Sequence, residues 1–68
     1  MNVTIKLNGE NQKIENGSSL LDLIHSRSIE PLHVVVELNG DIVDRKKFET
    51  TLLHDEDKVE MLRFVGGG

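Results

Sequence analysis

Three glycines, Gly66, Gly67 and Gly68, close the sequence and are its first candidate for chemistry. Glycine has no side chain, so this run leaves a bare main chain that can enter a slot too narrow for any Cβ. Three extended residues reach roughly 10 Å, far enough to carry the carboxylate of Gly68 into a partner enzyme. We therefore predict a flexible tail over 66–68, presented by a folded domain over 1–65. Gly68 would react, and Gly66 and Gly67 would bind the partner; a frayed chain end is the alternative.

Two large apolar residues, Leu62 and Phe64, lie just before the glycines and are predicted to bind the same partner. If Val59 and Met61 face the helix, the alternation of side chains along a strand points Leu62 and Phe64 to the uncovered face of the sheet. Exposed apolar side chains next to a reacting terminus indicate a docking patch. The alternative is a local bulge that returns one of them to the core.

The remaining residues of chemical interest do not form a recognised site. His25, His33 and His54 lack the close spacing of metal or triad chemistry and are interpreted as surface residues. The acidic run 55–57 lacks the alternating ligands and the length of a calcium loop and is interpreted as a solvated turn. We predict no metal site and no bound cofactor.

Composition limits the classes of function. A chain of 68 residues with no cysteine has no room for an enzyme cleft, no disulfide and no thiolate nucleophile, so we expect a non-enzyme. A net charge of −4 and only two aromatic residues, both phenylalanine, argue against a nucleic-acid partner and favour a basic protein. No stretch resembles a signal peptide or a membrane span, and the expected location is cytoplasmic.

Sequence periodicity predicts the elements that would position the tail. Val3, Ile5 and Leu7 alternate with polar residues in a first strand, and Asn8-Gly9 supplies the turn to a charged edge strand over 10–15. Ser19 and Asp22 fit a capping box for a helix whose apolar residues are Leu20, Leu21, Leu23 and Ile24, and which ends near residues 27–29, before Pro31.

Further strands follow the predicted helix. They are a central strand over 34–38, a short strand at 42–43, a short strand or turn over 50–53 with Phe48 as an anchor before it, and a last strand over 58–65. A hairpin, a helix and then more strands is the order of the α+β β-grasp arrangement. That arrangement has a mixed sheet of four to five strands with the helix on one face, and its first and last strands lie parallel at the centre.

The whole chain resembles the ThiS family, the ubiquitin-like β-grasp sulfur carriers of thiamine biosynthesis. The matching segments are Ile5–Gly9, the helix over Leu20–Ile24, the run Asn39–Arg45, Leu53 with Asp55 and Asp57, and the terminal Val65–Gly68. The terminal run is the one tied to function.

The resemblance implies a protein that is itself a cosubstrate. A ThiF-like adenylyltransferase would use ATP to adenylate the terminal carboxylate of Gly68, and a persulfide donor would convert the product to a thiocarboxylate. Thiazole synthase, a ThiG-like partner, would then consume the sulfur. Two related functions remain open: a small subunit of the molybdopterin synthase type, and a ubiquitin-like modifier joined to lysines through Gly68. A plain interaction domain is a third alternative.

Overall fold

In the computed structural model, which describes residues 1–65, a five-stranded mixed sheet packs one face against an α-helix. The strands are β1 (Asn2–Leu7), β2 (Glu10–Glu15), β3 (Val34–Leu38), β4 (Asp41–Ile42) and β5 (Lys58–Arg63), and the helix is α1 (Leu20–Ser26). The order across the sheet is β2-β1-β5-β3-β4. β1 and β5 run parallel, and the other neighbouring strands are antiparallel. This is the predicted β-grasp arrangement.

Helix α1 begins at the predicted capping box. The Ser19 hydroxyl accepts a hydrogen bond from the backbone N–H of Asp22, and the Asp22 carboxylate accepts one from the backbone N–H of Ser19, both at 3.0 Å. These bonds satisfy two of the backbone donors that a helix start leaves without partners. The helix has only seven residues, so packing of its apolar side on the sheet must stabilise it.

The core lies between α1 and the inner face of the sheet. Alternation along β1, β3 and β5 directs one set of side chains inward, where they meet the helix and two loop residues. The buried hydrophobic residues are Ile5, Leu7, Leu20, Leu23, Ile24, Val34, Val36, Phe48, Leu53 and Val59. Phe48 is thus the anchor that the sequence predicts, whereas Leu21, predicted as core, is only half-buried.

Several predicted boundaries are wrong. The last strand ends at Arg63 instead of residue 65, and β4 covers Asp41–Ile42 instead of 42–43. The central position belongs to β5, because β1 and β3 flank it, so β3 lies one place off centre. Of the two alternatives predicted for the segment 50–53, a short strand or a turn, the strand is absent: Thr50 lies in a turn, and Leu52 forms an isolated bridge with Ser19. No helix within residues 1–65 has the length and apolar character needed to cross a membrane.

Candidate functional site

Strand β5 is the element that leads to the chain terminus. It lies at the middle of the sheet, with parallel β1 on one side and antiparallel β3 on the other. Gly66, Gly67 and Gly68 lie outside the described residues, so the predicted tail and the role of Gly68 stay predictions. The described part of the site is what holds β5 and what surrounds its exposed face.

Asn8 extends the pairing between β1 and β5. The parallel ladder itself has two pairs, Lys6 with Lys58 and Leu7 with Val59. Past its end, the Asn8 side chain accepts a hydrogen bond from the Met61 N–H at 2.8 Å and donates one to the Met61 carbonyl at 3.3 Å. Asn8 has φ of 49°, a left-handed conformation that asparagine tolerates better than most residues. The side chain of a turn residue therefore makes the two hydrogen bonds to β5 that a further residue of β1 would make through its backbone.

Asn39 holds the other end of β5 from the β3–β4 turn. Its side-chain oxygen accepts from the Lys58 N–H at 2.9 Å, and its side-chain N–H donates to a carboxylate oxygen of Asp57 at 3.0 Å. Its backbone N–H also donates to the Lys58 carbonyl at 2.8 Å. Asn8 and Asn39 thus fix β5 on its two sides, and with it the place where the described chain reaches Val65.

The acidic run before β5 is a mostly exposed turn, as predicted, and it is also part of this support. A carboxylate oxygen of Asp55 accepts from the Thr4 N–H at 2.8 Å, and the Glu56 N–H donates to the Thr4 carbonyl at 2.7 Å. Asp57 accepts from the His54 N–H at 2.8 Å. The two bonds to Thr4 tie the turn to β1, and the third lies within the turn. The side chains of Asp55 and Asp57 thus serve as acceptors for backbone N–H groups.

The face of the sheet opposite α1 carries three successive pairs of side chains along β3 and β5. Val35 lies opposite Leu62 and Glu37 opposite Glu60 in the ladder. The pairing continues past the strand ends, where the Phe64 N–H donates to the His33 carbonyl at 2.9 Å and the two rings meet edge to face at 6.2 Å. We call these six residues the outer stripe: His33, Val35, Glu37, Glu60, Leu62 and Phe64.

The apolar members of the outer stripe are accessible to solvent. Leu62 is 69% exposed, Val35 41% and Phe64 38%. The ladder register runs unbroken from Val34–Arg63 to Leu38–Val59, so no bulge turns Leu62 into the core. The structure therefore shows the exposure predicted for Leu62 and Phe64, while their role in partner binding stays a prediction.

Sequence reasoning missed four residues of the outer stripe: His33, Val35, Glu37 and Glu60. A signal for Val35 was present, because strand alternation puts it out of phase with the buried Val34 and Val36. Nothing local indicated that His33 meets Phe64. Within residues 1–65, no three His, Cys, Asp or Glu side chains come together in a way that could hold a metal ion.

Comparison with known proteins adds a family and a fold. The chain matches the ThiS family over residues 5–68. It is 34% identical over 65 residues to the sulfur carrier protein ThiS of Bacillus subtilis, a match that spans 94% of this chain and 98% of that protein. The crystal structure of the thiamine biosynthesis protein ThiS from Geobacter metallireducens superposes with a TM-score of 0.81 at 30% identity, over 97% of this chain and 100% of that one.

A further similarity involves a larger protein. The chain is 36% identical over 64 residues, 94% of its length, to thiazole synthase of Magnetococcus marinus. The match spans only 20% of that synthase. A segment similar to this chain thus forms a small part of a much longer polypeptide.

Proposed function

Because this chain belongs to the ThiS family, we propose that it is a sulfur carrier protein of thiamine biosynthesis that reacts through the carboxylate of Gly68. The observation that carries the proposal is the extent of the family match, which runs from residue 5 through the terminal glycines to residue 68. The fold supports it, since β5 leads from the centre of the sheet towards those glycines.

The chemistry follows from the weakness of a carboxylate as an electrophile. A ThiF-like adenylyltransferase would join the carboxylate of Gly68 to AMP from ATP, with release of pyrophosphate, which creates a good leaving group. The outer sulfur of a persulfide donor would then attack the adenylate and release AMP, which forms an acyl disulfide. A thiol reductant would cleave its S–S bond and leave the thiocarboxylate on Gly68 and a thiol on the donor. Its anionic sulfur is a strong nucleophile towards an imine or carbonyl, which suits the formation of a thiazole ring.

Catalysis in this proposal belongs to the partners. The carrier binds no cofactor of its own, and the activating enzyme uses the ATP, in the cytoplasm. What the carrier supplies is position: β5 is held by Asn8 and Asn39, and the outer stripe offers Leu62 and Phe64 as a docking surface. Gly66 and Gly67 would fit a partner slot that accepts only bare backbone.

Thiazole synthase is the partner with independent support. The synthase of Magnetococcus marinus contains a segment similar to this chain within the same polypeptide. Covalent linkage of two modules raises their effective concentration for each other, which suits a carrier and the enzyme that consumes its cargo. We infer that the present chain also meets a ThiG-like synthase.

The test is mass spectrometry after incubation with ATP, the ThiF-like enzyme, a persulfide donor and a thiol reductant. The unmodified chain is expected to gain the mass difference between sulfur and oxygen at Gly68. A chain extended by one alanine past Gly68 is expected to gain nothing, because its carboxylate is displaced and the added Cβ does not fit the slot.

Circular dichroism provides the folding control, since both chains are expected to melt alike. Equal charging of the extended chain would contradict the proposal. Recovery of the protein as isopeptide conjugates on lysines, without thiocarboxylate, would support a protein modifier in its place.

A further inference from the structure

Two carboxylates, those of Glu37 and Glu60, lie directly opposite each other on the outer stripe. Both residues are exposed. Directly opposed side chains on an antiparallel pair have Cβ atoms about 4.5–5.5 Å apart, and like charges at that spacing destabilise the sheet. The isolated domain therefore carries a repulsive pair in the middle of an otherwise well-formed ladder.

Within residues 1–65, no lysine or arginine side chain forms a salt bridge with either carboxylate. Lys58 lies two residues before Glu60 on the same face, and Lys6 lies beyond it on β1, opposite Lys58. A shallow depression beside the stripe is lined by Glu37, Asn39, Gly40, Lys58 and Glu60. In the described part of the chain, the only contact between a basic and an acidic side chain is that of His54 Nδ1 with a carboxylate oxygen of Asp57, at 3.9 Å.

Exposed apolar side chains flank the two carboxylates. Towards the chain terminus the next pair is Val35 with Leu62, and on the β4 side Ile42 lies opposite Glu37 and is 71% exposed. A partner that covers Leu62 and Ile42 must also cover the carboxylates between them. Removing a carboxylate from water is unfavourable unless a cation and hydrogen-bond donors replace the water.

We propose that thiazole synthase covers the outer stripe and places a basic side chain, an arginine, between Glu37 and Glu60. The proposal deepens the proposed function and rests on it. A guanidinium suits this site because it is weakly hydrated and its planar fork can donate to two carboxylates at once. The net charge of −4 of the whole chain also favours a basic partner surface.

Such an ion pair would fix the register of docking along the stripe. Apolar contacts with Leu62 and Phe64 are non-directional, so they allow the partner to slide along β5. A charged contact at one defined pair of residues would select a single position. The depth at which Gly68 enters the synthase would follow from that position.

The experiment compares binding of the wild-type carrier and of Glu37→Gln/Glu60→Gln to purified thiazole synthase from the same genome, by calorimetry at several salt concentrations. The substitutions keep shape and remove both charges. A Glu30→Gln/Glu49→Gln variant is the matched control, because it changes the net charge equally at two exposed residues outside the sheet.

At low salt, the stripe variant is expected to bind about tenfold or more weakly, and its affinity to depend less on salt, because a screened charge pair is lost. The control variant is expected to bind like wild type apart from a small change at low salt. The melting temperature of the stripe variant should stay level or rise by about 1–4 °C, since a repulsive pair is relieved.

Two results would overturn the inference. One is equal affinity and equal salt dependence for the stripe variant and wild type; the other is a wild-type carrier that does not bind the synthase at all. Thiocarboxylate formation on the wild-type protein, measured separately, reports on the proposed function. A carrier that is charged normally but binds without the acidic pair would leave that function intact and remove only this inference.

Discussion

Phe64 occupies a position between core and surface. Its ring is 38% exposed, and its one aromatic contact is the edge-to-face approach to His33 at 6.2 Å. It is not among the buried residues that pack under α1. Most of its surface is therefore already covered in the isolated domain, and a partner can cover only the part that remains exposed.

Phe64→Ala should separate docking from stability. We expect a loss of roughly 1 kcal/mol of folding free energy, since the pair with His33 is lost but no core cavity forms. Affinity for the ThiF-like enzyme should fall about three- to sevenfold, because a partner can cover only the exposed 38% of the side chain, which contributes roughly 0.6–1.1 kcal/mol. Thermal melting and calorimetry on the same sample measure both quantities.

Leu62→Ala is the companion variant. Leu62 is 69% exposed, so this substitution should leave the melting temperature unchanged. A loss of about 3–5 kcal/mol of stability in Phe64→Ala, with normal affinity for each folded molecule, would assign Phe64 to the core and remove it from the docking surface.

Strand β5 depends on side chains from two turns as much as on its neighbouring strands. The β1–β5 ladder has two pairs, and the Asn8 amide adds both a donor and an acceptor to Met61. At the start of the strand, the Asn39 amide accepts from the Lys58 N–H and donates to the Asp57 carboxylate. These side-chain bonds hold β5 in place beyond the two residue pairs of its parallel ladder with β1.

Asn8→Ala should loosen β5 selectively. The variant loses two hydrogen bonds and places alanine at φ of 49°, so we expect a loss of at least about 2 kcal/mol. Urea unfolding measures that loss, and hydrogen exchange should show a faster-exchanging Met61 amide.

Asn16→Ala is the matched control. Asn16 also precedes glycine, but it is exposed and its φ is not positive. Equal stability of the two variants would mean that the Asn8 side chain does not hold the strand.

Local elements could be predicted from the sequence, but contacts between distant segments could not. Local patterns were enough for the alternation of Val3, Ile5 and Leu7 and for the Ser19–Asp22 capping box, because each signal lies within a few residues. The bond from Asn8 to Met61 joins residues 53 apart, and that from Thr4 to Asp55 joins residues 51 apart. Periodicity carries no information on which loop meets which strand.

In the candidate site, too, local features could be predicted and long-range ones could not. Exposure of Leu62 and Phe64 followed from alternation along one strand. The opposition of Glu37 and Glu60 depends on the register between β3 and β5, which are separated by the β4 segment and the loop after it. Register between distant strands is set by the packed core, so the acidic pair could not be read from the sequence.

At the scale of the whole molecule, the stability of the fold depends on one small hydrophobic core. Ten buried hydrophobic residues of the described part, residues 1–65, form it, and the chain has no cysteine to add a disulfide. Domains of this size bury only about 60% of the surface that the unfolded chain exposes, so their stability is low. A single large cavity should therefore threaten the fold.

Ile24→Ala tests this dependence. Ile24 is fully buried on α1, and its truncation should lower the free energy of unfolding by about 2–5 kcal/mol, a large share of the roughly 5–15 kcal/mol of a typical domain. Ile42→Ala removes the same atoms from a residue that is 71% exposed, and its effect should stay within about 0.5 kcal/mol. Similar urea midpoints for the two variants would show that the core is not concentrated under the helix.

The turns that hold β5 also bear on the chemical lifetime of the protein. The sequence has three Asn-Gly pairs, at Asn8, Asn16 and Asn39, and glycine leaves its nitrogen unhindered for attack on the preceding side-chain amide, which releases ammonia and leaves aspartate or isoaspartate. At Asn8 that change would replace a donor to the Met61 carbonyl with a carboxylate, which only accepts. Two hydrogen bonds restrain the amide at Asn8 and two at Asn39, so peptide mapping of an aged sample should find Asn16 deamidated first. Deamidation at Asn8 or Asn39 should then accumulate only as fast as β5 opens. The extent of deamidation at these two residues would therefore report how often β5 has opened during the lifetime of a carrier molecule.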